Sequence, residues 1–197
     1  MFERYQLVLN SKQFEDIKRS FTQGRAAHAY IIEGPAGAGK RTLARLAAAL
    51  VVCQEKRACL TCSSCRRALE GVHPDIHDYS SNKRISVKDM RALIEESALK
   101  PYEADYGVYI VENAHTATAE AQNCLLKTLE EPAGDSIFML LALNAGQLLP
   151  TVRSRCRLVR MTGFSDQMIF NQLSQLYPGN EKCAQAASLA GGNIGRA

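Results

Sequence analysis

Apolar residues along this chain recur in two registers. Phe14, Ile17 and Phe21 are spaced as on one helix face between Ser11 and Gly24, which predicts an amphipathic helix that Gly24 stops. A short apolar run at 30–33 predicts a first strand. Leu43, Leu46, Ala47 and Leu50 then line one face of a helix, while Arg41 and Arg45 share another at i and i+4. The leucine side is expected to pack on a sheet. Residues 75–79 predict a short strand, and Ser86-Val87-Lys88-Asp89 reads as a capping box ahead of a Met90, Leu93, Ile94 stripe that Pro101 ends. Residues 107–111 and 136–143 are continuous apolar runs, the pattern of parallel strands buried on both faces. The helix between them, 119–131, stops at Pro132. A last strand is expected at 157–161, followed by helices at 166–176 and 181–189. This alternation predicts an α/β fold with a doubly wound parallel sheet, and the change to helices after Gly163 predicts a second, helical domain.

Composition narrows the class. With 46% apolar and 22% charged residues the 197-residue chain reads as globular rather than disordered. Its N-terminus lacks the apolar core of a signal peptide, and no stretch of eighteen residues stays apolar, so a cytoplasmic protein is expected. A net charge of +4 permits contact with nucleic acid without arguing for it. Seven cysteines in such a chain argue against a disulfide framework.

Three groups of residues carry chemistry. Glu33-Gly34-Pro35-Ala36-Gly37-Ala38-Gly39-Lys40 joins the first strand to an alanine- and leucine-rich helix in the order of a P-loop. Its glycines let backbone N–H groups face phosphates, the helix points its positive end at them, and Lys40 is placed for the β- and γ-phosphates. The pattern requires a hydroxyl directly after the lysine, where this chain has Arg41; Thr42 is one step, about 100°, further round the helix. Magnesium-dependent ATP binding is therefore expected to be weakened. Residues 108–111 supply the facing strand, with Glu112 able to hold magnesium and Asn113 at the position where many ATPases carry a water-activating glutamate. Loss of such a base costs about 10²- to 10⁴-fold in rate.

The second group is Cys53, Cys59, Cys62 and Cys65, four thiols in thirteen positions, suited to a closed and hence structural tetrahedral zinc site. Two thiols two residues apart also fit a redox pair. Cys124, Cys156 and Cys183 read as packing residues, and the four histidines as surface or satisfied core residues. The third group is Arg153-Ser154-Arg155-Cys156-Arg157 with Arg160 beyond. It fits a solvated edge, a phosphate-contacting patch, or an arginine that enters a neighbouring subunit's nucleotide site, and spacing does not choose among these.

Taken together, His28-Ala29-Tyr30, the P-loop, the four cysteines, His73-Pro74-Asp75, Leu125-Leu126-Lys127-Thr128-Leu129-Glu130-Glu131-Pro132 and Ser154-Arg155-Cys156 resemble the bacterial DNA polymerase III clamp-loader ATPases of the AAA+ class. The resemblance covers nearly the whole chain. It implies a P-loop NTPase domain over 1–162, with a five-stranded parallel sheet flanked by helices and a zinc-binding insert at 53–67. Residues 163–197 would be the start of a helical lid, and the C-terminal collar of full-length members is not among the 197 residues, which is expected to weaken assembly. Within the family the chain is more similar to the delta prime branch than to gamma/tau. It departs from the motor pattern at Arg41, at Asn113, at the first sensor (Ala142-Leu143-Asn144, where motors carry threonine) and at the second, where Gly195 stands in place of arginine. The resemblance then implies a stator of the polymerase (nucleotidyltransferase) holoenzyme with little or no ATPase activity of its own. Its partners would be gamma/tau, delta, the sliding clamp and primed DNA, with Arg155 offered as an arginine finger and zinc on the four cysteines. A gamma/tau-like motor using Thr42 and Glu112, and a zinc-stabilised DNA-binding module using Arg57, Arg66, Arg67 and Arg153 to Arg160, are the alternatives.

Overall fold

The computed structural model describes residues 5–80, 84–132 and 135–193. Five parallel strands, β1 (Ala29–Glu33), β2 (Ile76–Tyr79), β3 (Gly107–Val111), β4 (Ser136–Ala142) and β5 (Arg157–Arg160), form one sheet in the order β2-β3-β4-β1-β5. The continuous apolar runs are explained by burial on both faces. Tyr30, Ile32, Val108, Ile110, Ile137, Met139 and Leu141 face one layer of helices, and Ala29, Ile31, Tyr109, Val111, Phe138 and Leu140 face the other. Each run thus splits by strict alternation between two cores.

The first layer holds α2 (Lys12–Thr22), α3 (Lys40–Val52) and α4 (Ser63–Glu70), together with α8 (Asp166–Leu176) and α9 (Cys183–Ala190), which pack on each other. The short α1 (Gln6–Leu9) contacts α2, α3 and α8. The second layer is α5 (Val87–Ser97), α6 (Ala119–Glu130) and the one-turn α7 (Pro150–Arg153). No helix among the described residues is long and apolar enough to cross a membrane.

Local chemistry sets the boundaries. Ser11, Thr118 and Ser165 each accept the N3 amide of the helix they start, and Ser86 with Asp89 forms the full capping box. The expected elements sit where their patterns placed them, with shifts at the ends: α6 stops at Glu130, β4 at Ala142, and α9 begins at Cys183 rather than Glu181. The pattern missed α4. Cys65, Ala68 and Leu69 of that helix are buried in the main core against α3, so the cysteine insert shares the core of the sheet. Four residues between Ser63 and Glu70 are charged or hydroxyl-bearing on the outer side, which hides the helical period in so short a span.

Candidate functional site

The loop 34–39 leaves the C-terminal end of β1, near the sheet centre, where open α/β sheets bind ligands. Gly39 is the N-cap of α3 in the left-handed region (φ 83°), and Gly37 is also left-handed (φ 76°). Both conformations favour glycine. A β-carbon on Gly34 would strike the carbonyl of Met161, so close packing against the end of β5 requires glycine there for a different reason. Gly37, Gly39, Lys40, Arg41, Thr42, Glu112 and Asn113 line a cavity of about 320 Å³ together with Leu141 and Asn193. The predicted cradle residues are therefore brought together.

The occupants of that cradle were not all legible. The Lys40 ammonium donates to two carbonyls of its own loop, Gly34 O at 2.7 Å and Pro35 O at 2.8 Å. Burial pushes its pKa down, and the Glu112 carboxylate partly restores it. Arg41 Nε lies 2.8 Å from Glu112 Oε1, and Arg41 Nη2 lies 3.5 Å from Asp78 Oδ2, which also takes Arg45 Nη2 at 2.7 Å. The i, i+4 arginines of α3 thus converge on acids at the ends of two neighbouring strands. The Glu112 carboxylate, expected as the magnesium-holding acid, thus already carries a guanidinium. Asp78 was not among the predicted residues; it lies in the short, mostly polar β2, and its two arginine partners come from α3 only through the fold.

Around the cradle, polar groups are committed to structure. Asn113 is left-handed (φ 51°), a conformation asparagine tolerates better than most residues, and its carbonyl accepts Thr116 N–H at 2.7 Å. Asn144 Oδ1, in the segment expected to be the first sensor, accepts Gly146 N–H at 2.7 Å. Glu33 takes Ala145 N–H on one oxygen and Arg160 Nε on the other, at 2.8 and 2.7 Å. The turn at Gly191 and Gly192 brings Asn193 over Gly37, where a β-carbon would collide with its side chain. Gly195 and Arg196, expected at the second sensor, lie outside the described residues. His115, expected as a surface or satisfied core residue, has a buried Nδ1 without a hydrogen-bond partner, and burial followed by the charge of Lys40 lowers its pKa.

The four cysteines also meet. They are free thiols whose Sγ atoms all lie within 4.8 Å of one another, with Cys53 and Cys59 at 3.7 Å. A tetrahedron with bonds of about 2.3 Å has edges of about 3.8 Å. Backbone N–H groups of Cys59, Cys62 and Cys65 donate to the sulfurs of Cys53, Cys59 and Cys62. The Thr61 hydroxyl and the amides of Cys62 and Thr61 hold the Cys59 thiol down to about 6. Burial opposes ionisation at Cys53, but the amides of Cys59, Arg57 and Glu55 outweigh it, whereas burial pushes the Cys65 thiol up. Donors that favour thiolate and a spacing that suits a tetrahedral ion make these residues fit a zinc site.

A joint ties this module to the sheet. Arg67 on α4 bonds the Glu103 carboxylate, and Lys56 Nζ lies 3.0 Å from Asp105. His73 Nδ1 accepts Asp75 N–H, while Nε2 approaches Glu103 Oε1 to 2.9 Å without hydrogen-bond geometry. His73, Asp75 and Glu103 could together face a metal, but the Asp75 carboxylate is already filled by the N–H groups of Tyr102, Glu103 (3.0 Å) and Ala104 (2.8 Å). Burial works against the Asp75 anion, yet the N–H groups of Glu103, Tyr102 and Ala104 keep its pKa below the ordinary value. A depressed pKa stabilises the fold above the unfolded value of about 3.9, and that contribution is lost as pH falls through the lower folded value. Asp75→Ala strands three amides and is expected to cost about 3 kcal/mol at neutral pH, with the difference from wild type shrinking below about pH 4 in paired urea melts.

Arg155 is not brought to this cradle. It precedes β5, whose Arg157 is level with Tyr30, while the loop follows Glu33, level with Arg160. At roughly 3.3 Å per residue the two lie on the order of 10 Å apart along the strands, at opposite ends of the sheet. Its Nε donates to Glu130 Oε1 at 2.8 Å, as does Nη2, and Nη1 donates to Thr151 O at 2.8 Å. Burial pushes the neighbouring Cys156 thiol up to about 12, consistent with a packing role.

The family model described as DNA polymerase III, delta subunit, matches residues 9–165. The chain belongs to that family. Among relatives of this delta-subunit family member, DNA polymerase III subunit delta' of Pseudomonas aeruginosa is 39% identical over 141 residues, 68% of this chain and 43% of that protein. Subunit delta' of Bacillus subtilis is 38% identical over 142 residues, 70% and 43% of the two. Subunit gamma of Buchnera aphidicola is 29% identical over 163 residues, 81% and 45%. The chain therefore spans less than half the length of these three relatives. In fold it resembles the AAA+ RuvB Holliday junction branch migration motor of Thermotoga maritima (TM-score 0.64, 18% identity, 97% of this chain and 58% of that one). A DNA polymerase III gamma subunit-related protein of the same organism has TM-score 0.60 and 20% identity, covering 91% and 57%. The AAA+ fold expected from the sequence is the fold of this family member.

Proposed function

We propose that the chain is the nucleotide-fold portion of a non-hydrolysing subunit of the cytoplasmic DNA polymerase III clamp loader. It would act as a stator beside a gamma/tau neighbour, with delta completing the assembly that opens the sliding clamp and places it on primed DNA. The observation that carries this reading is the Arg41–Glu112 ion pair, which puts a fixed cation on the acid that a motor subunit needs for magnesium. A gamma-like motor would have to break that pair at every turnover. Residues 1–162 are proposed as the AAA+ domain, zinc on Cys53, Cys59, Cys62 and Cys65 as its structural ion, and 163–197 as the start of the lid.

The nucleic-acid-module reading fares worse. Arg57 pairs with Glu55, Arg67 with Glu103 and Arg160 with Glu33, so three positives of its footprint are already neutralised. Counterion release needs unpaired cations. In the stator reading Arg155, at the far end of the sheet from its own cradle, serves a neighbour's ATP and supplies charge to the transferring phosphate.

Titration of the chain with ATP, with and without magnesium, tests the proposal. The expected result is no turnover and an affinity that magnesium leaves unchanged. Arg41→Ser restores the hydroxyl and frees Glu112, and is expected to gain magnesium-dependent tightening of about tenfold, or about 1.4 kcal/mol. Steady magnesium-dependent hydrolysis by the unaltered chain would overturn the stator reading.

A further inference from the structure

Arg155 is held rather than loose. Of its five N–H donors, Nε and one of Nη2 face the Glu130 carboxylate along one side, and one of Nη1 donates to Thr151 O on the other. Nη1 also donates to Ser154 Oγ at 3.3 Å. Among the described residues, the second N–H of Nη2 is the donor this arrangement leaves over. A guanidinium gripped along its flanks still presents Nη2 at its tip, a charge-assisted donor to a phosphate oxygen.

The grip is built on fixed elements. Glu130 is the last residue of α6, and the preceding carbonyl, Leu129 O, is bonded by His28 Nε2 at 2.6 Å just before β1. Leu129 itself is buried in the second core. On the other flank, Thr151 lies in α7, whose Val152 is buried, and Leu149 N–H is tied to Gln122 Oε1 of α6 at 2.8 Å. The carboxylate and the carbonyl that hold Arg155 thus hang from helices locked to one another.

We infer that Glu130 is a positioning residue for Arg155, fixing the guanidinium with an Nη2 donor free for a phosphate bound to another subunit. This rests on the reading of Arg155 as serving a neighbour's site. Preorganisation lowers the ordering cost of each contact made later, so its loss falls on the rate of the neighbour's reaction rather than on nucleotide binding there.

Two measurements on Glu130→Ala and Glu130→Gln separate this inference from the reading beneath it. The first is nitrogen-15 NMR of the Arg155 Nε–H in the chain itself. A sharp, slowly exchanging signal is expected in the wild type, one broadened or lost in Glu130→Ala, and one largely kept in Glu130→Gln, whose amide oxygen still accepts. The second is ATP turnover of a reconstituted full-length loader. Glu130→Ala is expected to lower kcat at the affected interface about tenfold with KM within twofold, Glu130→Gln about threefold, and Glu130→Ala to add nothing to Arg155→Ala. An Arg155 signal indifferent to Glu130 overturns the inference. So does an additive loss in the double variant, which would mark Glu130 as acting on the fold. If Arg155→Ala alone leaves turnover unchanged, the finger reading fails and the NMR result still decides whether Glu130 positions Arg155.

Discussion

One equivalent of zinc is expected to bind the chain, and its removal by a chelator to unfold the segment 53–62, lower the melting temperature and expose all four thiols. The segment is strained without an ion. Lys56, Ala58 and Leu60 are non-glycine residues in the left-handed region, with φ of 50°, 53° and 62°. Each such residue costs on the order of 1–2 kcal/mol and persists only where its surroundings enforce it. The enforcing contacts here are N–H donations to cysteine sulfurs, which strengthen when those sulfurs are thiolates on a cation. Cys62 Sγ is also the N-cap of α4, so losing the cage exposes the helix start. Zinc modules of small peptides gain about 10–16 kcal/mol on binding. The gain here is expected to be smaller, because α4 already packs on α3. Cys65→Ser, at the most buried ligand, is expected to abolish stoichiometric zinc and to reproduce the chelated melt, as read by metal analysis and circular dichroism. The redox-pair alternative predicts the reverse: a Cys59–Cys62 or Cys62–Cys65 disulfide on mild oxidation, and a melt that zinc does not change.

Much of this was legible beforehand because the relevant physics is local or periodic. Continuous Val, Ile, Leu and Phe runs identified β3 and β4, and each of their side chains is buried as parallel strands require. The capping box at Ser86 needed only four residues to be seen. The cysteine cluster and the P-loop glycines were legible because their chemistry depends on close spacing. The long-range pairs were not. Arg41 could be marked as out of place, but its bond to Glu112 depends on α3 lying over the ends of β2 and β3, a consequence of strand order. Asp75 reads as an ordinary acid after a proline until the loop 102–104 folds onto it. Glu130 stands in a motif whose apolar residues explain a helix, and nothing in their period points to an arginine twenty-five residues on.

Arg155→Ala in a reconstituted full-length loader is expected to depress ATP turnover by up to about 10³-fold at the one interface it serves. Zinc content and melting temperature should stay near wild type. The mildness of the structural effect follows from exposure: Arg155 and Glu130 are a third and a half exposed, and surface ion pairs add little stability. The severity of the kinetic effect follows from charge. A phosphoryl group in transfer spreads negative charge over its oxygens, and a guanidinium excluded from bulk water meets it with a fork of donors that water cannot replace. Arg155→Lys tests the geometry separately. Lysine keeps the charge but has no planar fork for Glu130 to hold by one edge, so it should recover only a small part of the rate. The defect should appear in kcat with nucleotide affinity nearly unchanged, since the contact strengthens in the transition state. Turnover equal to wild type in both variants would remove Arg155 from the mechanism and return the basic segment before β5 to a solvated edge.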